Sequence, residues 1–429
     1  MPSLPDRYAF PGGKPYGTLV KAVFYGLAAI YLLNCMSHLR LHVDMLRYFA
    51  IKDCVELGCP PDSVAAKDYL PWGYTGLLLL LSKLGILKSS VLVFINCLYL
   101  FGGLVFVKKL FGYPVSAFWP ALLVLLNWTT IKFVTHPLSE MQYLFFSLAG
   151  VYYFHCYSET KKFIYLAAAF AAAALAFITR SVGLALVAAL VAGLLWEFRR
   201  QLIELVRRNR LLVGAIVLAL AGVIFFSKQL GLNHYTGVFG KQFKEGLTFG
   251  TMLKWHFTEW AEIGLNTSVV KWAPYLGAAR IGLVFLLTGI LFFAGFIYLL
   301  FFRKSDIPVI VKLYLLFYAV LMFNWPFYDP RFWVPVVPLI AVVATRVSFT
   351  GALWRRVVTG GWLAAYLLLG LVSIGYYTYT SVSAETMART QANGVYRNEY
   401  ETIIFGKPLS DTAKQIDPAA LEVIRRYDR

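Results

Sequence analysis

The sequence predicts an all-α polytopic membrane protein with about eleven transmembrane helices and interfacial helices in its first long outer loop. Three observations carry that prediction. Of 429 residues, 59% are hydrophobic and only 14% charged, and the mean hydropathy is +0.65, more apolar surface than a soluble core can absorb. Apolar runs recur from Thr18 to Tyr379, several reaching the roughly 20 residues that a helix needs to cross the hydrocarbon layer. The basic residues that give a net charge of +18 are scattered between those runs and form no basic aromatic stripe, so a membrane topology accounts for them better than a nucleic-acid partner.

The first run, 18–37, begins beside Lys14 and Lys21 and lacks a small-residue cleavage pattern before His38, so it reads as a retained span. Further spans are expected at 90–107, 113–131, 141–157, 163–179, 181–197, 211–229, 281–301, 308–324, 332–345 and 357–378. The segment Trp72 to Leu87 decides the topology, because Lys83 interrupts it and its fully apolar stretch, Gly76 to Leu81, is short. If it lies flat at the interface, Lys108-Lys109, Lys161-Lys162, Arg199-Arg200 with Arg207, Arg208 and Arg210, Arg303-Lys304, and Arg346 with Arg355-Arg356 all fall on the side of the N-terminus. That side is then cytoplasmic, and Lys132, Arg180 and Arg331 are left in the opposite short loops. The segment is therefore taken as an interfacial or re-entrant amphipathic helix.

The outer side, periplasmic or lumenal, then holds a first loop from 38 to 90 and a long loop from 230 to 280. A tail of residues 380–429, after a membrane domain of 1–379, forms a small outer cap with a helical last stretch, Pro418 to Tyr427. Cys54 and Cys59 share one polar loop and are expected to pair if that loop meets an oxidising compartment. No internal repeat is present, which weighs against the inverted-repeat transporters.

Five polar segments border the apolar runs. In Leu41-His42-Val43-Asp44-Met45-Leu46-Arg47-Tyr48, Asp44 stands just beyond the first span and shares a helix face with Tyr48, four residues on; a solvated loop acid or a helix cap competes with a catalytic role. Asp68-Tyr69-Leu70-Pro71-Trp72-Gly73-Tyr74 puts aromatic side chains at headgroup depth, where anchoring alone accounts for them. Thr135-His136-Pro137-Leu138-Ser139-Glu140 brings a carboxylate to the outer membrane edge, for function or for capping. Arg180 is the only charge between Lys162 and Glu197, and it asks for an anion, either a carboxylate of this chain or the phosphate of a lipid. Tyr328-Asp329-Pro330-Arg331-Phe332 presents a guanidinium before a proline-bearing span, for a phosphate or for an Asp329 to Arg331 pair that braces the turn. His256, Glu259 and Glu262 either shape an acceptor side or mark an amphipathic interfacial helix.

The order of these elements over residues 18–345 resembles the GT-C superfamily of integral-membrane glycosyltransferases. The nearest group contains protein mannosyltransferases, aminoarabinose transferases and bacterial arabinofuranosyl- or mannosyltransferases. The resemblance implies transfer of a single sugar from a polyprenyl-phosphate donor to a hydroxyl acceptor on a glycolipid, polysaccharide or protein at the outer face. It implies Asp44 as general base and Glu140 as a second acid. Arg180 and Arg331, with Tyr328, fall on the donor phosphate, and Tyr48 and His136 fall to the sugar or acceptor pocket. Many relatives carry two adjacent acids in the first loop, whereas Met45 follows Asp44 here. No Asp-x-Asp pair is present and outer carboxylates are few, so neither a metal site nor a cofactor is expected. A polymerase or ligase of lipid-linked glycans is one competing reading, and a transporter or flippase of an anionic lipid is another. Transporters place their ionisable groups near midplane, and these lie at the edge.

Overall fold

A computed structural model describes residues 16–111, 118–201, 204, 233–303, 307–345, 353–391, 396–408 and 417–428. Among them all the regular secondary structure is helical, with no strand. In chain order the helices are α1 (Tyr16–Leu33), α2 (Val43–Leu57), α3 (Trp72–Lys83), α4 (Ser89–Phe111), α5 (Phe118–Leu125), α6 (Trp128–Val134) and α7 (Glu140–Thr160). There follow α8 (Phe163–Thr179), α9 (Leu184–Glu197), α10 (Asn233–Lys244), α11 (Phe249–Leu265), α12 (Val269–Leu276), α13 (Ala278–Ile297) and α14 (Val309–Phe323). The chain closes with α15 (Val337–Ala344), α16 (Leu353–Val382), α17 (Ala384–Thr390), α18 (Arg397–Phe405) and α19 (Pro418–Tyr427). The expected span at 211–229 lies outside the described residues.

The outer helices face lipid. Only 22% of the apolar window in the helix through Ala278–Phe302 is buried within the protein, and Leu283, Val284, Leu287 and Leu291 are exposed. A soluble protein does not leave such a continuous apolar face in water, so the chain is an integral membrane protein. At the centre, α7 is apolar on nearly every side and buried along most of its length. Helix α8 packs closely against it through small side chains. Ala169, Ala172, Ala173 and Ala176 recur at helical spacing and are buried, while Leu175, Phe177 and Ile178 point outward. Between helices in lipid, such small residues permit the close backbone approach that dispersion requires.

Two expected spans are not single helices. The run 113–131 breaks between α5 and α6, where Asn127 accepts from the backbone N–H of Thr129 and Thr130 and donates to the Tyr366 hydroxyl at 2.9 Å. Asn266 repairs the other side of the break. Its Oδ1 accepts from Trp128 N, and its Nδ2 donates to the carbonyls of Leu126 and Tyr366, all at 2.7–2.8 Å. Broken backbone at membrane depth survives only where such partners replace the lost helical bonds. The run 332–345 likewise opens as a 3₁₀ turn, Pro330–Val336, before α15. Prolines at 330, 335 and 338 remove the amide donors that an α-helix needs there.

Helix α3 has 12 residues, roughly 18 Å of rise, too short for a hydrocarbon layer of about 30 Å. Its first turn abuts the end of α8. A Cβ added at Gly73 would come within 2.8 Å of Ile178 O and Thr179 Cα, so only glycine permits this approach. That contact brings the aromatic entry of α3 beside Arg180. Cys54 and Cys59, at the end of α2 and just beyond it, form a disulfide.

Candidate active site

Helix α2 starts where it does because the His42 side chain accepts from the Asp44 backbone N–H. The cap is His42, so the Asp44 carboxylate is left free for other partners. It stands in the first turn of α2 between two guanidiniums. Arg331 Nη2 reaches Asp44 Oδ2 at 2.5 Å, and Arg47 Nη1 reaches Oδ1 at 3.0 Å. Arg47 is in turn held by Asp68 in a two-pronged contact of 2.8 and 2.7 Å, and it lies over the Tyr69 ring. Burial raises the Asp44 carboxyl, but the charge and hydrogen bond of Arg331, then His42 and Arg47, outweigh it and hold it at about 2.

Arg331 is fixed from its own side. Asp329 caps the following turn by accepting from the Arg331 N–H at 2.9 Å, and its Oδ2 lies 2.8 Å from Arg331 Nε. The brace that competes with phosphate binding in the sequence is therefore present, alongside the contact to Asp44. The segment carrying both residues is anchored by Glu259 of α11, which accepts from Asp329 N at 2.7 Å and from Trp333 Nε1 at 2.8 Å. His256 bridges the Glu259 carboxylate and the Trp325 carbonyl, at 2.8 Å each. His256, Glu259 and Glu262 are all buried, so a surface amphipathic pattern does not account for them. His256 and Glu259 brace the arginine segment instead, while Glu262 accepts from Ser268 Oγ and Val269 N at the start of α12.

Glu140 opens α7 and is fully buried, 0% exposed. Arg180 Nη1 donates to Glu140 Oε1 and, at 3.2 Å, to Ser139 Oγ. Of the two partners the sequence left open for Arg180, the structure records the carboxylate of this chain. Glu140 Oε1 also lies 3.8 Å from Arg331 Nε, so the two acids and two arginines form one cluster. Both guanidiniums lie over the Phe332 ring, 5.7 Å away for Arg180 and 4.9 Å for Arg331. The Tyr48 hydroxyl bonds Ser139 Oγ at 3.1 Å, and burial, with Glu140 and Asp44 adding to it, pushes the phenol up to about 12.

The structure thus brings Asp44, Glu140, Arg180, Arg331 and Tyr48 together, while the other two candidates have different polar neighbours. Tyr328 sits beside Glu262, with Glu259 and Asp329 near, and burial with these carboxylates raises its phenol strongly. His136 bonds the Lys132 carbonyl at 2.8 Å through Nδ1, and its ring packs on Phe133. Burial, then Arg40 and Lys132, lower its basicity well below the ordinary histidine range. Sequence reasoning missed Arg47 and Asp68 as members of the site. Arg47 was legible, three residues after Asp44 on a helix. Asp68 carried no such signal. Among the described residues no group of three or more His, Cys, Asp and Glu side chains is arranged to hold a metal ion.

No protein-family model and no curated protein sequence matches the chain. Two solved structures are similar to it over most of its length. One is ArnT from Cupriavidus metallidurans bound to undecaprenyl phosphate, at 14% identity and a TM-score of 0.49, covering 97% of this chain and 85% of that one. The other is the same ArnT in the apo state, at 14% identity and a TM-score of 0.47, covering 96% and 85%.

Proposed function

We propose that this chain is a glycosyltransferase that moves one sugar from a polyprenyl-phosphate donor to a hydroxyl acceptor at the outer membrane interface. The observation that carries the reading is the Asp44 carboxylate, at the start of a short helix outside the spans, paired with Arg331 beside a buried Glu140–Arg180 pair. An acceptor hydroxyl is a poor nucleophile at neutral pH, and a carboxylate that takes its proton contributes roughly 10²- to 10⁴-fold. As the hydroxyl oxygen bonds to the anomeric carbon, the carbon–oxygen bond to phosphate breaks. The proton passes to Asp44, and the polyprenyl phosphate leaves with the electron pair. Direct displacement of this kind inverts the anomeric centre.

The cluster also suggests how base and donor are coupled. Arg331 holds Asp44 Oδ2, and a donor phosphate is a competing anion for the same guanidinium. As Arg331 turns to phosphate it releases a carboxylate oxygen to the acceptor and raises the proton affinity of Asp44. Arg331 and Arg180 then face the charge that grows on the leaving phosphate. The lipid tail stays in the bilayer while the sugar is handled at its edge. The Cys54–Cys59 bridge next to α2, with the distribution of basic loops, supports an oxidising outer side for this face.

The test is sugar transfer by purified wild-type and Asp44→Asn protein, with a panel of polyprenyl-phosphate sugars, a membrane or cell-wall acceptor extract, and added chelator. Expected is chelator-resistant transfer that falls at least about 10²-fold in Asp44→Asn while donor binding is kept. Transfer indifferent to the mutation removes Asp44 as base. No transfer from any donor, with movement of an anionic lipid across vesicles, favours the transporter reading.

A further inference from the structure

Helix α2 has a second face that the chemistry above does not use. Phe49, Lys52, Asp53 and Glu56 stand at positions i, i+3, i+4 and i+7, one stripe of the helix turned well away from Asp44. The last helix, α19, grips that stripe. The Tyr427 ring packs on Phe49 with centroids 4.8 Å apart, and its hydroxyl accepts from Lys52 Nζ at 2.6 Å and donates to Asp53 Oδ1 at 3.3 Å. Lys52 is only 1% exposed and also pairs with Asp53 at 2.7 Å and Glu56 at 2.8 Å. A lysine ammonium is costly to bury unless oxygens surround it, so this is a built contact and not an incidental one. Glu56 passes the link to α3 by accepting from Ser82 Oγ at 3.0 Å.

The next residue holds the chain where it enters α2. Asp428 accepts from Leu39 N through Oδ1 and bonds His38 Nδ1 through Oδ2, both at 2.7 Å. His38 and Leu39 lie just before the His42 cap. Tyr427 and Asp428 therefore hold the helix face and its entry from one short segment.

We infer that α19 is a positioning element of the site, with Tyr427 and Asp428 setting where α2 presents Asp44 to Arg331. The inference rests on the reading of Asp44 as base. Its physical reason is that one hold on the start of α2, the Asp44–Arg331 pair, is the one a donor phosphate must loosen. That leaves the helix to contacts that do not pass through Arg331: those of α19, beside the Arg47–Asp68 pair and the Gln391 bond to the Leu41 carbonyl. A helix that has to keep its place while that pair opens needs an anchor independent of Arg331. A displacement of about 1 Å at a reacting group can cost on the order of 10²-fold in rate.

The experiment uses full-length Asp428→Ala, Asp428→Asn and Tyr427→Phe proteins in lipid nanodiscs. Steady-state transfer is measured together with hydrogen exchange over residues 38–57 and, as a control, over α7. Asp428→Ala removes both contacts at the entry, and Tyr427→Phe keeps the ring on Phe49 while removing the hydroxyl. Expected for both is exchange about ten-fold faster over 38–57 with α7 unchanged, and kcat about ten-fold lower with donor KM within about two-fold. Asp428→Asn keeps an oxygen acceptor for Leu39 N and should recover part of the loss. Unchanged kcat with unchanged exchange overturns the inference, as does a rise in exchange that includes α7, which marks a loss of global stability. If the wild type transfers no sugar, the glycosyltransferase reading falls on its own. Exchange over 38–57 then still decides the anchor, and no change there overturns it.

Discussion

Arg331 and Asp44 are 287 residues apart in sequence and joined at 2.5 Å, so the candidate base carries its own cationic partner. The pair ties the helix after the first span to the turn before α15, and four consequences follow from it and its surroundings.

The Asp44 carboxyl is held at about 2 by Arg331, His42 and Arg47 against its burial. Because the pKa is depressed, the carboxylate stays ionised at all pH values above that point and loses its charge only as pH falls through it. The profile of kcat/KM, which reports groups of the free enzyme, should show no acid limb from Asp44 between pH 4 and 7. Arg331→Ala should weaken donor binding, lower turnover and move an acid limb upward into the measurable range.

Glu140 and Arg180 form a buried pair, so removing one partner strands the other. Arg180→Met should destabilise by roughly 3–5 kcal/mol, and Glu140→Gln combined with Arg180→Met should recover most of that loss. Thermal unfolding in detergent, followed by size-exclusion fluorescence, compares the single and double variants. A double variant as unstable as the sum of the singles would contradict a direct pair.

Burial raises Glu262 to about 7 from an ordinary 4.5, with bonds from Val269 N and the Ser268 hydroxyl only partly offsetting it. A raised acid binds more protons folded than unfolded, so stability is fully present below pH 4.5 and is lost as pH rises toward 7. The loss is about 3 kcal/mol in order of magnitude. Glu262→Gln should flatten the unfolding profile across that window, and a wild-type profile that rises there would contradict it.

Gly73 has no room for a side chain against Ile178 O and Thr179 Cα. Gly73→Val should push α3 off the end of α8, cost about 1–3 kcal/mol, and reduce transfer by displacing Arg180. The paired readout is stability beside turnover. Normal values for both would mean that the α3–α8 contact does not position the site.

Much of the fold was legible because hydrophobic span formation is local. The runs at 163–179 and 308–324 appear as Phe163–Thr179 and Val309–Phe323, nearly residue for residue. Where a run holds an internal polar side chain or several prolines, length and hydropathy alone mislead. Asn127 splits 113–131, and the prolines after 330 turn the start of 332–345 into a 3₁₀ turn. The cost of breaking a helix in lipid is set by distant partners such as Asn266 and Tyr366, which no window over the broken run contains.

By itself the sequence determined that this chain lives in a bilayer and that its few ionisable groups at the span ends, Asp44, Glu140, Arg180 and Arg331, are the ones to ask about. Burying charge is expensive, so such groups are sparse and stand out against apolar runs. Which charge meets which was decided only by the tertiary structure. Arg331 takes Asp44 and Asp329, Arg180 takes Glu140, Arg47 takes Asp68, and Tyr427 closes over Lys52. Pairing energy depends on separations of a few ångströms, and these are fixed by how helices far apart in the chain pack together.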